Sequence, residues 1–277
     1  MKLVELKNEI KIGDRVNERW NVIGLGIHSV ICILYGRNYR RHFYYHPTDS
    51  GKIIEKVERD GRIIYSRPRK AKKIIMKISK KKFFSKHDPK ILPIIRKATV
   101  GIAGVGGLGS NVAVSLARVG IGKLIIADFD TIEASNLNRQ QYFIEQIGKP
   151  KVIALLENLK KINPFSEYQI HHIKLNEKNI PIIFKDVDIL VEAFDKAEMK
   201  KMLIETWLSE FPEKPIIAAS GLSGYGMNEL IHTKKLDNLY ICGDEITKLK
   251  NNISPMAPRV GIVANMQANL VLEMLLM

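Results

Sequence analysis

An alternation of apolar runs with amphipathic segments between Ala98 and Gly221 constrains the fold of this 277-residue chain more than any other feature. Five runs are rich in Val, Ile and Leu and are expected to form strands: TVGIAG at 99–104, KLIIADFD at 123–130, YQIHHIKL at 168–175, DILVEAFD at 188–195 and PIIAASG at 215–221. The segments between them, such as KPKVIALLENLKKIN, repeat apolar residues at helical spacing. Buried strands separated by helices predict an α/β fold with a doubly wound, mostly parallel sheet of the Rossmann-like kind.

The alternation stops after Gly221. ELIHTKKLDNLYICGD predicts a pair of strands, and Pro258 stands where a helix can begin. That helix is apolar over much of its surface, so we expect it to pack in the interior or at a dimer contact.

Charge divides the chain into two parts. Residues 1–97 hold 25 Lys and Arg against 9 Asp and Glu, whereas residues 98–277 hold 19 against 20. The excess positive charge therefore belongs to the first third, and such asymmetry marks a boundary. We predict a small basic β-rich module of unknown role at 1–66, a basic connector at 67–97 and an α/β catalytic domain at 98–277. The dipeptide Asp60-Gly61 predicts a hairpin in the first module.

The connector at 67–97 contains 13 Lys or Arg residues. A surface for nucleic acid or another polyanion is one interpretation, and an acidic protein partner is another. A solvated connector whose apolar residues dock on the next domain is favoured, because no pattern of stacking aromatic residues accompanies the charge. Nucleic acid therefore stays an alternative that the sequence does not favour.

Two further features bound the class of protein. Cys32 and Cys242 are the only cysteines, which excludes a disulfide framework and a four-thiolate zinc site. No apolar run approaches the roughly 18 residues of a membrane-spanning helix, and the charged N-terminus has no apolar core of a signal peptide. We expect a cytoplasmic protein that does not enter a membrane.

A glycine loop follows the first strand of the alternation. The segment 104–109, GVGGLG, fits G-x-G-x-x-G between a strand and a helix. Its glycines are expected to bring backbone N–H groups to a phosphate at the helix N-terminus: Gly104, Gly106, Gly107 and Gly109. Asp128 and Asp130 end the next strand about 20 residues on, where a carboxylate can accept ribose hydroxyls. These residues predict a nucleotide, and NAD fits them as well as ATP does.

Three charged residues beyond the loop favour ATP. Arg139 and Lys151 follow the second strand, and Asp195 ends a later strand at the same edge of the predicted sheet. Hydride transfer needs no cations on the phosphates, whereas transfer at a phosphoryl group develops negative charge that Arg and Lys stabilise. Asp195 is suited to hold Mg²⁺ that bridges phosphates.

The motifs in combination closely resemble the ThiF/MoeB/HesA family, the bacterial relatives of ubiquitin-activating enzymes. The resemblance rests on G-x-G-G-L-G-S, D-F-D-x(4)-S-N-L-N-R-Q, G-K-P-K and A-F-D-K and covers roughly residues 85–277. Within the family, AGVGGLGSNVAVSLARVGIGKLIIADFD, GLSGYG and MAPRVGIVANMQANLVLE look most like the divergent ThiF branch found with thiamine-biosynthesis genes.

The resemblance implies a homodimeric, ATP-dependent adenylyltransferase. Its partner would be a small ubiquitin-like sulfur carrier of the ThiS type ending in Gly-Gly. The glycine loop would bind the ATP phosphates and Asp128 the ribose. Asn136, Arg139 and Gln140 would line the triphosphate, Lys151 would contact the transferred phosphoryl group, and Asp195 would carry Mg²⁺. The carrier carboxylate would attack the α-phosphorus without a general base, because it is ionised at pH 7.

The chain departs from the family pattern at two places. Many members bind zinc through two C-x-x-C pairs, but Cys242 stands alone and the later stretch is NNIS at 251–254, so we expect no zinc. Cys242 is also the one candidate for a persulfide link, although a buried hydrophobe is the more ordinary role. The R-x-x-R-Q segment that supplies an arginine across the family's dimer has no clear match.

Other functions remain open at this stage. The same chemistry could act on a molybdopterin carrier or, as a dehydratase, on tRNA threonylcarbamoyladenosine. From another class, an NAD-binding oxidoreductase or sensor fits Asp128 but leaves Arg139 and Lys151 unexplained.

Overall fold

The computed structural model describes residues 78–247 and 253–277 in full, together with the strands of the first 77 residues. The chain divides into two compact units, Met1–Lys77 and Ile78–Met277. The predicted tract at 67–77 and the side chain of Cys32 lie outside the described residues.

The first unit contains a seven-stranded sheet, as the β-rich prediction requires. Its strands are β1 Arg15–Val16, β2 Trp20–Leu25, β3 Ser29–Leu34, β4 Arg40–Tyr44, β5 Lys52–Ile53, β6 Lys56–Arg59 and β7 Arg62–Ser66. They are ordered β5-β4-β3-β2-β1-β6-β7, and only the described pair β4–β5 is parallel. Strands β6 and β7 pair antiparallel on either side of Asp60-Gly61, which confirms the predicted hairpin.

The second unit contains the predicted doubly wound sheet. Its seven strands are β8 Thr99–Ala103, β9 Lys123–Asp128, β10 Glu167–His172, β11 Ile189–Glu192, β12 Ile216–Ala219, β13 His232–Leu236 and β14 Leu239–Gly243. They are ordered β10-β9-β8-β11-β12-β14-β13. All described pairs are parallel except β13–β14 at one edge. The prediction of a mostly parallel sheet is therefore confirmed.

Helices cover both faces of this sheet. They are α1 Lys80–Phe83, α2 Leu92–Ile95, α3 Gly107–Val119, α4 Lys151–Ile162, α5 Ile180–Phe184, α6 Ala197–Glu210 and α7 Ala257–Leu276. Buried residues of α3, α4 and α7 share one core. Phe184 of α5 and Leu203 and Trp207 of α6 belong to the other. The last helix begins one residue before Pro258 and buries one face in the core, whereas residues of its other face, such as Ile262, are exposed. Interior packing therefore holds for one face, and a dimer contact stays a prediction.

Four of the predicted strands extend beyond the carboxyl ends of the observed strands. They were expected to reach Asp130, Leu175, Asp195 and Gly221, whereas the pairing ends at Asp128, His172, Glu192 and Ala219. The reason is visible at Asp128 and Glu192, whose carboxylates accept the backbone N–H groups of Asp130 and Phe194 two residues on. Strands β9 and β11 thus turn into loops before Asp130 and Asp195, the last acidic residues of the predicted runs.

The sheet order places a crevice at one edge. Strand β8 lies between β9 and β11, so the chain leaves it towards β9 on one side and later returns to β11 on the other. In open α/β sheets such a switch point opens a ligand crevice outside the carboxyl ends of the strands. The loops after β8, β9 and β11 meet there.

Residues 78–97 pack against the rest of the second unit. Phe84 is buried, and its ring lies 6.0 Å from that of Phe165. A Cβ added to Gly120, whose φ is +91°, would lie 2.7 Å from the same ring. Ile95 of α2 is buried in the core. The domain limits 1–66, 67–97 and 98–277 stay predictions, but the described part of the connector is docked by its apolar residues.

No helix among the residues that the structure describes is long and apolar enough to cross a membrane.

Truncation of Phe84 tests whether the packing of the segment 78–97 contributes to the stability of the second unit. Phe84→Ala empties a buried site and should cost about 3 kcal/mol, typical of a buried Phe→Ala change. For a unit of this size we expect the melting temperature to fall by about 6 °C or more. Ile94→Ala, on the exposed side of α2, is the control and should change it little. An unchanged melting temperature for Phe84→Ala would mean that the segment is merely a solvated connector.

Candidate active site

The glycine loop follows β8 and takes a conformation that its glycines permit. Gly104 has a φ of +89°, and a Cβ added there would lie 3.0 Å from the carbonyl oxygen of Ala193. A Cβ on Gly109 would collide with the carbonyl oxygen of Gly104. These two positions need glycine because the backbone turns sharply and then meets itself.

The N-terminus of α3 opens beside this loop. Gly106 is its N-cap, and no side chain of the described residues caps it. The first N–H groups of a helix lack partners within the helix and carry the positive end of its dipole. A Cβ added to Gly106 would meet only the Nε2 of Gln140, at 3.7 Å, among its described neighbours. The arrangement is that of an anion site at a helix N-terminus.

Asp128 ties the loop to the end of β9. One carboxylate oxygen accepts the Val105 N–H at 2.7 Å, and the other accepts the Asp130 N–H at 2.7 Å. Burial raises the pKa of Asp128 above its usual range, although these two N–H donors and Lys151 act to lower it. The side chain predicted to bind ribose therefore also shapes the loop.

Lys151 and Asp130 form an ion pair next to Asp128. The Lys151 Nζ lies 2.7 Å from the Asp130 Oδ2, and the exposed fractions of the two side chains are 8% and 46%. Residues 148–151 double back over 130–132: the Lys151 N–H donates to Asp130 O, and Thr131 pairs with Pro150. The segment G-K-P-K thus places an ammonium group beside the carboxylates that end β9.

Arg139 and Gln140 lie against the glycine loop from the other side. A Cβ added to Gly107 would be 3.5 Å from the Cγ and Cδ of Arg139, so the arginine stem covers the start of α3. Gln140 is buried, and its Oε1 has no hydrogen-bond partner among the described residues. An unpaired buried oxygen is costly, which makes Gln140 a natural partner for a bound ligand.

The Asn136 side chain stabilises the turn in which it lies. It ends a 3-10 turn at Ala134–Asn136, and its Oδ1 accepts the Glu133 N–H at 3.1 Å. The Gln140 N–H donates to its carbonyl oxygen at 3.0 Å. Asn136 therefore shapes the segment that carries Arg139 and Gln140.

Asp195 lies exposed in the loop after β11. The preceding residues, Ala193 and Phe194, are those that approach Gly104. Asp195 therefore stands at the same edge as the glycine loop, in a position open to solvent.

A buried ion pair holds the loop of Asp195, and the sequence did not predict it. Glu192 is fully buried and lies 2.8 Å from the Nζ of Lys200 on α6. Its Oε1 also accepts the Phe194 N–H at 2.6 Å. Burial raises the pKa of Glu192, while Lys200 and the backbone donors act to lower it. An acidic residue within an apolar strand was the signal, since such a residue needs a partner.

Ser110, Asn111 and Tyr142 also position the site without having been predicted. Asn111 Nδ2 donates to the carbonyl oxygens of Gly107 at 2.6 Å and Arg139 at 3.0 Å. The Ser110 hydroxyl accepts the N–H of Gln141 at 3.2 Å, and the Tyr142 hydroxyl donates to Val105 O at 2.7 Å. These bonds fasten the segment 139–142 across α3 and the glycine loop. The polar pair directly after Gly109 was the only sequence signal.

Cys242 lies in the core at the end of β14 and is fully buried. Burial raises the pKa of its thiol to about 11, and Thr233 contacts its Sγ at 3.8 Å. A thiol needs to ionise and be accessible in order to react. Cys242 therefore has the environment of a structural hydrophobe.

The residues expected to bind metal do not form a preformed cage. Within 78–247 and 253–277, no group of three His, Cys, Asp or Glu side chains could hold an ion. Magnesium commonly takes one or two carboxylates together with substrate phosphates and water. The oxygen chemistry of the exposed Asp195 fits that mode.

Comparison with known proteins assigns a family to the greater part of the chain. A profile of the ThiF family matches residues 81–277. The protein named adenylyltransferase and sulfurtransferase uba4 of Emericella nidulans is 37% identical over 133 residues, which are 48% of this chain and 27% of that protein. The protein named adenylyltransferase and sulfurtransferase MOCS3, from Xenopus laevis, is 35% identical over 133 residues, which are 48% of this chain and 29% of that protein. The matched region is thus about a quarter of the length of these relatives.

Solved structures share the fold. The Escherichia coli tRNA N6-threonylcarbamoyladenosine dehydratase TcdA, in complex with AMP, superposes with a TM-score of 0.64 at 17% identity. The superposition covers 70% of this chain and 92% of that one. At this identity the likeness concerns the architecture alone.

Removal of the cation at the buried pair tests the support of the Asp195 loop. Lys200→Met leaves the Glu192 carboxylate buried without its partner, and we expect it to destabilise the protein by about 3 kcal/mol or more. The Phe194 amide should exchange faster with deuterium, because its acceptor is no longer fixed. Lys201→Met, in an exposed pair with Glu205, is the control and should stay within about 0.5 kcal/mol. Equal stability of the two variants in urea would contradict the role given to Lys200.

The state of Cys242 leads to a second prediction. In the folded protein at pH 8, we expect this thiol to resist iodoacetamide, because burial keeps it protonated and covered. Peptide mapping after alkylation would report it, and the urea-unfolded protein should be fully labelled. Rapid labelling of native Cys242 would show that the thiol is accessible after all.

Proposed function

Because the chain belongs to the ThiF family, we propose that it is an ATP-dependent adenylyltransferase that activates the C-terminal glycine carboxylate of a small ubiquitin-like sulfur carrier. The observation that carries the proposal is the Lys151–Asp130 pair, which lies beside Asp128 at the edge where the glycine loop opens. Hydride transfer develops no negative charge on phosphate oxygens, so the reaction itself needs no ammonium group and guanidinium there. Transfer at a phosphoryl group requires them.

Each residue of the site is assigned a role in binding ATP. The glycine loop and the N-terminus of α3 bind phosphate oxygens, and Asp128 and Asp130 hold the ribose. Arg139 and Gln140 line the triphosphate, together with the backbone that Asn136 shapes. Lys151 can keep its bond to Asp130 and still donate to a phosphate, since an ammonium group has three donors.

Asp195 is the residue proposed to hold Mg²⁺. The metal would neutralise charge on the phosphates and the departing pyrophosphate. Its ligands beyond Asp195 would come from ATP and water. No zinc is expected to be part of the site.

The reaction needs positioning and charge stabilisation rather than a base. The carrier carboxylate is ionised at neutral pH and attacks the α-phosphorus; the bond to pyrophosphate breaks, leaving an acyl-adenylate. Arg139 and Lys151 stabilise the charge that develops during this exchange. The burial of Cys242 makes a persulfide step at this cysteine a poor fit.

The recipient is proposed to be a ThiS-like carrier, and the protein a homodimer. The ThiS assignment is supported by the likeness of runs such as GLSGYG and MAPRVGIVANMQANLVLE to the divergent ThiF branch. The matches to proteins named adenylyltransferase and sulfurtransferase support a sulfur carrier in general, so a molybdopterin-type carrier is the first alternative. The fold shared with a tRNA threonylcarbamoyladenosine dehydratase keeps that substrate as the second.

Exchange of pyrophosphate into ATP tests the activity. The wild type should catalyse it only when a carrier ending in Gly-Gly is present, and Arg139→Ala and Asp195→Ala should each lower the rate at least about 100-fold. Asp186→Ala is the control, because Asp186 precedes the amino end of β11 whereas Asp195 follows its carboxyl end. Wild-type rates in the Asp195 variant would mean that the site lies elsewhere. Exchange with a molybdopterin carrier but not with ThiS would reassign the recipient.

Ligand-induced stabilisation separates ATP from NAD. A ligand that binds only the folded state raises the melting temperature in proportion to the logarithm of its concentration over its Kd. We expect ATP with Mg²⁺ to raise it and NAD at the same concentration to leave it unchanged. A shift with NAD alone would favour an oxidoreductase or sensor.

A further inference from the structure

A second surface of the protein, far from the candidate active site, carries a cluster of positively charged side chains. It begins with residues 78–97, which run along the amino ends of the central strands. The Gly122 N–H donates to Ile95 O at 2.9 Å and the Lys123 N–H to Ala98 O at 3.0 Å, just where β9 begins. These bonds fix the segment at the amino edge of the sheet.

Two other helices end at the same place. Helix α3 ends next to Arg118, whose carbonyl oxygen lies 3.1 Å from the Nε2 of His87. Helix α4 ends with Lys160 and Lys161 in its last turn. The loop after it carries Phe165, whose ring lies 5.3 Å from that of Phe83. Three segments that are distant in sequence thus meet at one surface.

The cations of this surface are exposed. We call it the lysine-rich surface, and it consists of Lys80, Lys81, Lys82, Lys86, Lys90, Lys97, Arg118, Lys160 and Lys161. Within the segments 78–97, 115–123 and 158–167 the acidic residues are Asp88 and Glu167. The Asp88 carboxylate accepts the Lys90 N–H at 2.7 Å, and Glu167 pairs with Lys123 at 2.8 Å. Neither compensates the nine cations.

The lysine-rich surface is not part of the nucleotide site. Strand β8 runs from Thr99 at the amino edge to Ala103, and the glycine loop follows at the carboxyl edge. Its length alone separates the two by about 15 Å. Arg96, the nearest arginine of the segment, is bonded to Phe165 O at 2.6 Å and to Ser166 Oγ at 3.0 Å, so it supports the surface and does not reach the site.

We propose that the lysine-rich surface binds the phosphate backbone of a nucleic acid duplex. Lysine is depleted at protein–protein interfaces, which use aromatic residues and Arg as anchors. Here Phe83 and Phe84 pack on Phe165, and the exposed large apolar residues of the segment are Ile78 and Ile94. Lysine ammonium groups bind phosphates as point charges. Without exposed aromatic side chains among these described segments, the contacts are to the backbone and carry little sequence preference.

The linear sequence extends the same charge. Residues 67–77, directly before the segment, add six cations: Arg67, Arg69, Lys70, Lys72, Lys73 and Lys77. The lysine-rich surface differs from a basic stretch of sequence in one respect. Arg118, Lys160 and Lys161 belong to the surface only because the fold brings them there.

That difference defines the experiment. Binding of a labelled 20-base-pair RNA duplex and of the DNA duplex of the same sequence is measured by anisotropy for the full chain between 50 and 200 mM salt. The test variant is Arg118→Gln/Lys160→Gln/Lys161→Gln, and the matched control is Lys178→Gln/Lys201→Gln/Lys235→Gln. Each phosphate contact contributes about 0.9 to the slope of log Kd against log salt for DNA. We expect the test variant to bind at least about tenfold more weakly at 100 mM salt with a smaller slope, and the control to bind like the wild type.

Several results would overturn the proposal. Absence of binding by the wild type at 50 mM salt would remove it. Equal affinity of the test variant and the wild type, with equal melting temperatures, would assign binding to the basic tract and not to the folded surface. Displacement of the duplex by poly-glutamate at equal charge concentration would assign the surface to acidic proteins. Preference between the RNA and DNA arms would identify which duplex it takes.

Discussion

The carboxylate of Asp128 joins the two strand ends on which the site depends. It accepts one N–H from the glycine loop after β8 and another from the loop after β9. The Asp130 side chain then holds Lys151, and Tyr142 fastens the other side of the glycine loop through Val105. Because Asp128 is buried, its charge is costly, and the two N–H donors together with the nearby Lys151 ammonium group offset that cost. Loss of the carboxylate would release the glycine loop and Asp130 together.

Buried ion pairs hold the remaining loops at this edge. Glu192 and Lys200 fix the turn before Asp195, and Arg259 on α7 pairs with Asp244 after β14. Burial acts to raise the pKa of Asp244, but the backbone donors of Thr247 and Ile246 and the Arg259 guanidinium hold it below its usual range. Arg259 also donates to the carbonyl oxygen of Gly226. Such pairs add little net stability, yet removal of one member leaves a buried charge, so they select one arrangement of the loops.

Much of the second unit could be predicted because its signals are local. Buried parallel strands appear in the sequence as uninterrupted apolar runs. The glycine loop is recognisable because the backbone conformation at Gly104 and Gly109 requires glycine. The partners of buried charges were not predictable in the same way. Glu192 is visible in the sequence as an acid within a strand, but the reach of Lys200 depends on how α6 packs over β11. Ser110 and Asn111 likewise act through a segment some 30 residues on, which only the fold brings near.

The position of the basic segment before β8 could not be predicted from its composition. Its many lysines indicate solvation, whereas Phe84 and Ile95 decide where it lies. Once docked, it adds its charge to that of two helix ends, which no window of sequence contains. The cationic surface thus lies at the amino edge of the sheet, opposite the candidate nucleotide site at the carboxyl edge.

If the protein uses ATP to adenylate a carboxylate, the mass of the carrier must change. After incubation with the protein, ATP and Mg²⁺, a carrier ending in Gly-Gly should gain one AMP, and a carrier lacking the terminal glycine should not. The same incubation should release pyrophosphate in an amount equal to the adenylate. A carrier of unchanged mass, with ATP converted to ADP and phosphate, would rule out adenylation of the carrier.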